Sequence, residues 1–495
     1  MAPAIFFALL FLLLFSASSY LQLQEDGFIS VALSDKGLDY AKDLLIEEAI
    51  SSVLSLQVPQ IKKSVDIPLI GNAYMVLSDI SIDGVQIISS YLKTGESGVV
   101  LIASDATANL TMNWRYSYSG WLLPIEVSDR GGASVKVEGM EVGLAVDLKN
   151  QEGTLKLILL NYGCFVGNLS IKLDGGASWL YQRIVDTFNV EIEAAVEDAI
   201  SGKIREGISK LDNSLQSLPK HILVDNTAAL NVSFTDNPVF SNSSVKFEID
   251  GLFTGRNEVL ASNDYQRGSE TCVSCGGFSK MIKISLHENV FKSASLVYFK
   301  AGYMQWIVDE LPDQALLNTA GWRFIIPKLY RQYPNDDMNL NISVSSPPII
   351  QVTDRDVDAT IYLDIIIDVI DAGEVIPVVC ISMEISASCA AQILRNNIAG
   401  NLSLKKFSTY LKWSKIGNLR MYLIQPVMSV ILRTVFLPYV NLHLRNGFPL
   451  PVLHGFTLQN AHIFYTEPWI TVCSDVTFSG HDSLPQLPAY SDPVL

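Results

Sequence analysis

Apolar residues recur at intervals of three or four positions in one long stretch of each half of the chain. The first stretch runs from Trp179 to Leu218, and the second runs from about Leu419 to Leu444. This spacing places the apolar side chains on one face and predicts amphipathic α-helices longer than the usual globular helix. Helices of such length must lie along an extended sheet, another long helix or a membrane.

The period of the pattern changes in the same order in both halves. Residues 65–175 and 340–413 alternate apolar and polar side chains, which predicts half-buried antiparallel strands before each long helix. A shorter helical stripe precedes each strand region, from Leu38 to before Pro59 and around 296–311. Further strands are predicted near 230–234, 245–253 and 456–465. The expected fold class is therefore α+β, with two similar halves that each pack a twisted antiparallel sheet on a long helix.

Capping residues, turn residues and composition predict where these helices, strands and domains begin and end. Ser34 or Asp35 is available to cap the first helix, and Asp83-Gly84 and Gly131-Gly132 predict turns between strands. Domain boundaries follow from the Asn-, Ser- and Asp-rich connection in the middle of the chain. We expect a first half at 20–225, central strands and a linker at 226–277, a second half at 278–478 and a disordered tail at 479–495.

The N-terminus predicts secretion. The 11-residue apolar run at 5–15 is followed by small residues, which is typical of a signal peptide at 1–19, although no Lys or Arg precedes the run. A short N-terminal anchor is the alternative, but the run is too short to span a bilayer. Six Asn-x-Ser/Thr sequences agree with secretion and are candidates for N-glycosylation: Asn109, Asn168, Asn231, Asn242, Asn341 and Asn401.

Composition narrows the possible functions. With 49% hydrophobic and 17% charged residues and a mean hydropathy of +0.27, the chain has apolar surface for large cores and for a groove that could hold acyl chains. Its net charge is -16, and residues 21–225 carry 27 acidic against 16 basic residues, a net of -11. Nucleic acid is therefore not an expected partner.

Six cysteines are too few for a disulfide-held scaffold. Cys380 and Cys389 lie in one predicted hairpin and are the first candidates for a bridge. Cys272 and Cys275 have the spacing of a redox or half-zinc pair, and a loop disulfide or two thiols are both possible readings.

Several short strings resemble the family of bactericidal/permeability-increasing protein, lipopolysaccharide-binding protein and the plasma lipid-transfer proteins. The resemblance spans nearly the whole mature chain. It is carried by these strings in this order: Lys36-Gly37-Leu38-Asp39-Tyr40-Ala41, Val137-Glu138-Gly139-Met140, Leu218-Pro219, Ala294 to Tyr298, Tyr333-Pro334-Asn335, Ser345-Ser346-Pro347-Pro348, Leu437-Pro438, Val440-Asn441 and Asn446-Gly447-Phe448-Pro449-Leu450-Pro451.

The resemblance implies an elongated boomerang of two β-barrels, each packed on a long helix, joined by a central sheet. It also implies a phospholipid-sized apolar pocket in each half. Its members usually tie a late strand of the first half to the long helix by a disulfide. Here Cys164 stands at the strand position and no second cysteine occurs in that half, so a buried thiol or an unusual pairing is expected.

The family binds the phosphorylated head of lipopolysaccharide at the tip of the first barrel. The matching hairpin here, 113–121, contains one cation and four aromatics. The candidate head-group ligands are Lys62, Lys63, Lys93 and Arg115. The aromatics expected to contact a membrane or lipid are Trp114, Tyr116, Tyr118 and Trp121. The alternative is that Trp114 and Trp121 are packed strand residues and that Lys62 and Lys63 lie in a solvated loop.

No enzyme is expected, because the common nucleophile, phosphate-loop and dinucleotide motifs are missing from the sequence, as is the second His of a zinc protease. No cofactor or metal is predicted. Two functions stay open. One is binding of lipopolysaccharide, or of a bacterial outer membrane, in extracellular innate defence. The other is general carriage of phospholipid or another apolar lipid, for which the tip does not matter.

Overall fold

The computed structural model describes residues 27–54, 56–67, 71–95, 98–119, 126–175, 188–255, 265, 275, 279–311 and 314–479. The predicted signal peptide, Trp121 and all but the first residue of the predicted tail lie outside these ranges.

Within the described residues, the first half consists of one eight-stranded antiparallel sheet and two helices. The helices are α1 (Asp35–Leu54) and α2 (Asn189–Gln216). The strands are β2 (Gln57–Val58), β3 (Ile61–Ile67), β4 (Gly71–Gln86), β5 (Ser89–Gly95), β6 (Gly98–Ser119), β7 (Glu126–Gln151), β8 (Thr154–Phe165) and β9 (Asn168–Asp174). The main path is β2-β4-β6-β7-β8, with β3 beside β4, β5 beside β6 and β9 beside β7. Within the described residues the ends of this path do not pair, so the sheet curls without closing.

Alternation along β6 shows why this sheet packs on a helix. Leu110, Met112 and Trp114 are buried on one face, and the intervening side chains are exposed on the other. The buried face contacts Ile192 and Val196 of α2 in one apolar core. The predicted helix over 179–218 is thus present as α2, while residues 176–187 lie outside the described ranges.

The turns predicted at Asp83-Gly84 and Gly131-Gly132 are wrong, because both pairs lie inside long strands. Gly84 lies at a register shift of β4, which is a bulge rather than a turn. A Cβ on Gly131 would lie 2.7 Å from Nε1 of Trp114, so this glycine leaves room for the indole. Glycine in these strands is therefore a sign of close packing or of a bend, not of a turn.

The second half repeats the arrangement. Its sheet contains β16 (Gln305–Val308), β17 (Asp337–Val344), β18 (Ile349–Val352), β19 (Val357–Asp371), β20 (Glu374–Leu394), β21 (Asn397–Ser414) and β22 (Phe448–Pro449). The short helix α4 (Pro327–Gln332) follows two 3₁₀ turns at Gln314–Leu317 and Thr319–Trp322. The long helix consists of α5 (Met421–Ile431), a π-helical turn (Leu432–Phe436) and α6 (Leu437–Leu444).

Among the described residues, Met421–Leu444 is the one helical stretch long and apolar enough, by length and composition, to cross a membrane. In this structure its residues Ile424, Met428 and Ile431 are fully buried against the sheet. The second long helix predicted from the sequence is confirmed, and its apolar stripe serves as the core of the second half.

A central six-stranded sheet joins the halves. It runs β12 (Val239–Ser241), β13 (Ser244–Ile249), β1 (Ile29–Ser34), β15 (Ile282–His287), β24 (Trp469–Phe478) and β23 (Phe456–Thr466). Beside it lie a small sheet of β10 (His221–Leu223), β11 (Ala228–Asn231) and β14 (Phe253–Gly255), and helix α3 (Glu288–Lys300). The helix predicted at 296–311 is therefore misplaced: it begins earlier, and 305–308 forms the edge strand β16.

The string beginning at Lys36 fastens α1 to this central sheet. Lys36 Nζ lies 2.8 Å from a carboxylate oxygen of Asp475, and the Phe478 amide donates to the Tyr40 hydroxyl at 2.9 Å. A Cβ on Gly37 would lie 2.4 Å from the Met281 carbonyl oxygen. Burial acts to raise the pKa of Asp475, but hydrogen bonds from Lys36 and Lys280 outweigh it and lower that pKa.

The predicted Cys380–Cys389 bridge is wrong, because both cysteines lie on the same strand, β20. They are nine residues apart, which is about 30 Å along a strand, and they point to opposite faces. The disulfide joins Cys275 to Cys473 with Cα atoms 6.0 Å apart, which also rules out a Cys272–Cys275 bridge. Cys164 is a free thiol, and burial followed by the nearby Glu197 charge raises its pKa to about 12.

Candidate lipid-binding site

Three cations stand in one row on the outer face of the first sheet. Lys62 of β3 pairs with Val76 of β4, Val76 pairs with Arg115 of β6, and Arg115 pairs with Arg130 of β7. All three cationic side chains are exposed. Because neighbouring strands are about 4.8 Å apart, the row spans about 15 Å. We call Lys62, Arg115 and Arg130 the first-half cationic row.

Within the described residues, no acidic side chain neutralises the charges of this row. None of the three side chains has an ion-pair partner within 4.0 Å among the described residues. Arg115 and Arg130 are directly opposite each other, and like charges in that position destabilise a sheet. A bound anion would relieve this repulsion, and a guanidinium offers a phosphate two parallel donors.

Sequence reasoning missed Arg130, which lies beyond the predicted hairpin. Once the β6–β7 connection is known to be 120–125, the pairing of 115 with 130 follows from counting outward along both strands. Tyr74 was missed as well. It is 55% exposed on the same outer face of β4, two positions from Val76.

Lys63 does not belong to this row. It is the strand neighbour of Lys62 and therefore points to the opposite face, where its Nζ contacts the Glu191 carboxylate in the first turn of α2. The same Nζ lies 5.4 Å from the ring centroid of Phe188. The hydrogen bond from Lys63 lowers the pKa of Glu191. Lys63 thus ties β3 to the long helix.

Lys93 lies far from the row. It is on β5 opposite Val100, and Val100 is fifteen residues from Arg115 along β6. The separation along the strand is on the order of 45 Å. The structure therefore brings together two of the four predicted head-group residues, Lys62 and Arg115.

The predicted membrane-contacting aromatics divide by face. Trp114 is 1% exposed and Tyr116 is buried, and both belong to the core beside α2. Tyr118 is half-buried and packs against the same core. Trp121 lies outside the described residues. Trp114 and Tyr116 are thus packed strand residues and present no ring to a lipid surface.

A second candidate contact lies between sheet and helix in the second half. Trp306 of the edge strand β16 stacks on Tyr439 of α6, with ring centroids 4.8 Å apart, and Tyr439 is 4.7 Å from the ring of His443. The Trp306 Nε1 is buried and has no hydrogen-bond partner among the described residues. A buried donor without an acceptor is costly, and a ligand oxygen would satisfy it.

Other predicted sites are placed as follows. Asn109, Asn168, Asn242 and Asn401 are exposed, Asn231 and Asn341 are half-buried, and glycosylation of all six stays a prediction.

Within the described ranges, no group of three or more His, Cys, Asp or Glu is placed to hold a metal ion. A depression of about 620 Å³ at the outer end of the second half is lined by polar residues, among them Asp309 and Asp337, and by apolar residues, among them Leu317 and Met338.

Known proteins resemble this chain over almost its whole length. Two sequence models match it: the N-terminal domain of the LBP / BPI / CETP family at residues 37–211 and the C-terminal domain at 222–478. A putative BPI/LBP family protein of Arabidopsis thaliana is 52% identical over 463 residues, which cover 93% of this chain and 94% of that protein. Human lipopolysaccharide-binding protein is 25% identical over 463 residues, which cover 90% and 92%.

The fold is shared as well. A crystal structure of lipopolysaccharide binding protein aligns with a TM-score of 0.65 at 19% identity, and the alignment covers 92% of this chain and 100% of that one. Two sheet-and-helix halves around a central sheet define the class of protein, and the predicted boomerang agrees with it. The chain belongs to the LBP / BPI / CETP family, which confirms the resemblance found in the sequence. Membership implies that the protein binds lipid.

Proposed function

We propose that this protein binds bacterial lipopolysaccharide outside the cell, with the first-half cationic row holding the phosphates of lipid A. The observation that carries the proposal is the pair of opposed, unneutralised arginines, Arg115 and Arg130, with Lys62 in the same row. Such an arrangement is costly for a sheet on its own and is relieved by a multiply charged anion.

Two further features support a lipid rather than a soluble anion. Tyr74 projects from the same face beside the row, and tyrosine is favoured at the boundary between head groups and acyl chains. Two relatives also support this ligand by name. Human lipopolysaccharide-binding protein is named for it, and a relative from Sebastes schlegelii is named bactericidal permeability-increasing protein. The latter is 26% identical over 91% of this chain and 95% of that protein. Secretion, predicted from residues 1–19, would bring this face into contact with bacteria.

The net charge of the first half indicates how the protein would act on bacterial lipid. The first half is acidic, with a net charge of -11 over 21–225, so long-range attraction to an anionic bacterial surface is weak. Short-range contacts in the row then dominate, and they decay steeply with distance and salt. We expect binding or presentation of lipid rather than killing by charge.

General lipid carriage is the second candidate function, and Trp306 favours it. The unpartnered Nε1 and the aromatic stack with Tyr439 lie where sheet and helix meet in the second half. An ester carbonyl or phosphate oxygen of a phospholipid would accept the hydrogen bond while its chains lie along the apolar helix. This function requires no contribution from the first-half row.

Titration of the purified protein with lipopolysaccharide and, in parallel, with phosphatidylcholine vesicles distinguishes the two functions. The proposal predicts tighter binding to lipopolysaccharide, with an affinity that falls steeply as salt is raised. Equal affinity for both lipids with no dependence on salt would instead favour general carriage.

A further inference from the structure

A long stretch of the second half contains no acidic residue. Between Glu384 and Glu467 the sequence has neither Asp nor Glu, although the whole chain has a net charge of -16. Lys or Arg occurs there at Arg395, Lys405, Lys406, Lys412, Lys415, Arg420, Arg433 and Arg445. Of these, Lys405 and Lys412 have ion pairs with Asp356, Asp358 and Asp364 in the described part of the chain. The rest of this positive charge faces solvent.

Part of that charge is concentrated at the outer end of the second half. The loop between β21 and α5 carries Lys415 and Arg420 on either side of Gly417. Lys328 of α4 reaches this loop, since its Nζ lies 2.8 Å from the position that a Cβ on Gly417 would take. Arg331 follows Lys328 by one helical turn. We call Lys328, Arg331, Lys415 and Arg420 the distal basic surface.

All four side chains of the distal basic surface are exposed, and none has an ion-pair partner among the residues that the structure describes. The segments that form it, 319–332 and 411–425, contain no acidic residue. The buried Asp368 of β19 interacts electrostatically with Lys415, and Asp309 and Asp337 line the separate depression beside the 3₁₀ turns. The end of the half therefore has a basic side and an acidic side, which fixes the orientation of any charged partner.

Large aromatic residues border the basic side. Phe324, just before α4, is 77% exposed, and Tyr422, just after Arg420, is 67% exposed. The Arg323 guanidinium lies 4.6 Å from the Phe324 ring centroid, so an apolar ring and a cation project together. Exposed aromatics among cations are typical of residues that enter the head-group region of a bilayer.

We propose that the distal basic surface is a second lipid-contact site, which docks the protein on bilayers of anionic phospholipid. It is separate from the first-half cationic row and does not depend on lipopolysaccharide binding. A bilayer fits better than nucleic acid, because the exposed rings of Phe324 and Tyr422 suit the head-group region and the chain belongs to a lipid-binding family. The protein would thus contact lipid at one end of each half.

Vesicle sedimentation tests this site on the full-length protein. With vesicles of phosphatidylcholine and phosphatidylglycerol, Lys328→Gln together with Lys415→Gln is expected to lower the partition coefficient roughly 30-fold, about 5-fold per cation. The matched control is Arg395→Gln with Lys406→Gln, which removes the same charge from the same acid-free stretch away from this end. That control is expected to change binding less than about 3-fold. Phe324→Ser should also weaken binding.

Three results would overturn the proposal. They are equal losses of vesicle binding by the two double variants, undiminished vesicle binding by K328Q/K415Q, and a dependence on these residues for binding to an oligonucleotide but not to vesicles. An unchanged thermal unfolding midpoint shows that each variant is folded. Lipopolysaccharide affinity of K328Q/K415Q should stay native, whereas a variant of the first-half row should still bind anionic vesicles. Failure of one site can therefore be told from failure of the other.

Discussion

Replacing Lys62, Arg115 and Arg130 together by Gln is expected to lower the affinity for lipopolysaccharide by roughly 100-fold or more. Hydrogen bonds to charged groups contribute about 1.5 to 3 kcal/mol each, and even partial loss of three such bonds reaches this size. Surface plasmon resonance at low salt measures the change. Because the variant removes the repulsion between Arg115 and Arg130, its stability should be equal to or slightly above that of the native protein.

A matched control exists in the same sheet. Lys149 and Lys156 oppose each other across β7 and β8, where Asp147 lies 3.7 Å from the Lys149 ammonium and offsets its charge, and Lys93 supplies a third exposed cation far from the row. The triple change of these residues to Gln removes the same charge and should leave the affinity within about 3-fold of native. If both triple variants lost binding equally, the row would not be the phosphate site, and only overall charge would matter.

Trp114→Ala is expected to destabilise the protein by about 3 to 5 kcal/mol, because a fully buried indole leaves a cavity in the core of the first half. Chemical denaturation followed by tryptophan fluorescence or circular dichroism measures this loss. The lipid affinity of the fraction that stays folded should be close to native, since the ring does not reach the surface.

Tyr74→Ala provides the comparison, because its side chain is exposed on the outer face. Its stability should change by less than about 0.5 kcal/mol, while its affinity for lipopolysaccharide-containing vesicles falls. The opposite pattern, a stable Trp114→Ala protein that no longer binds lipid, would return Trp114 to the lipid-contacting surface and contradict the packing described here.

Periodicity predicted the long elements well because their burial is one-sided. Helix α2 and the helix at Met421–Leu444 each pack one apolar face against a sheet. Such a face is visible in the sequence as apolar residues at helical spacing. The central sheet could not be predicted in the same way. It pairs β1 with β13 and β15, and β15 with β24, so its register depends on residues between 182 and 257 positions apart.

The candidate site was predicted only in part, because a cluster of side chains depends on strand register. Lys62 and Lys63 are adjacent in sequence, but they point to opposite faces, and one of them serves the helix. Trp114 looked like a tip residue until the length of β6 placed it inside the sheet. The disulfide prediction was wrong for a similar reason. Cys275 is bonded to Cys473, which lies 198 residues away in sequence, and no local spacing of cysteines indicates such a pair.

The contribution of the phosphates tests the central claim most directly. The affinity of the native protein for diphosphorylated lipid A should be compared with its affinity for the same lipid after enzymatic removal of both phosphates, in identical detergent and salt. Unpaired cations that hold phosphate predict a loss of roughly 10-fold or more on dephosphorylation. Equal affinity for the two lipids would contradict the account and would assign recognition to the acyl chains rather than to the phosphates.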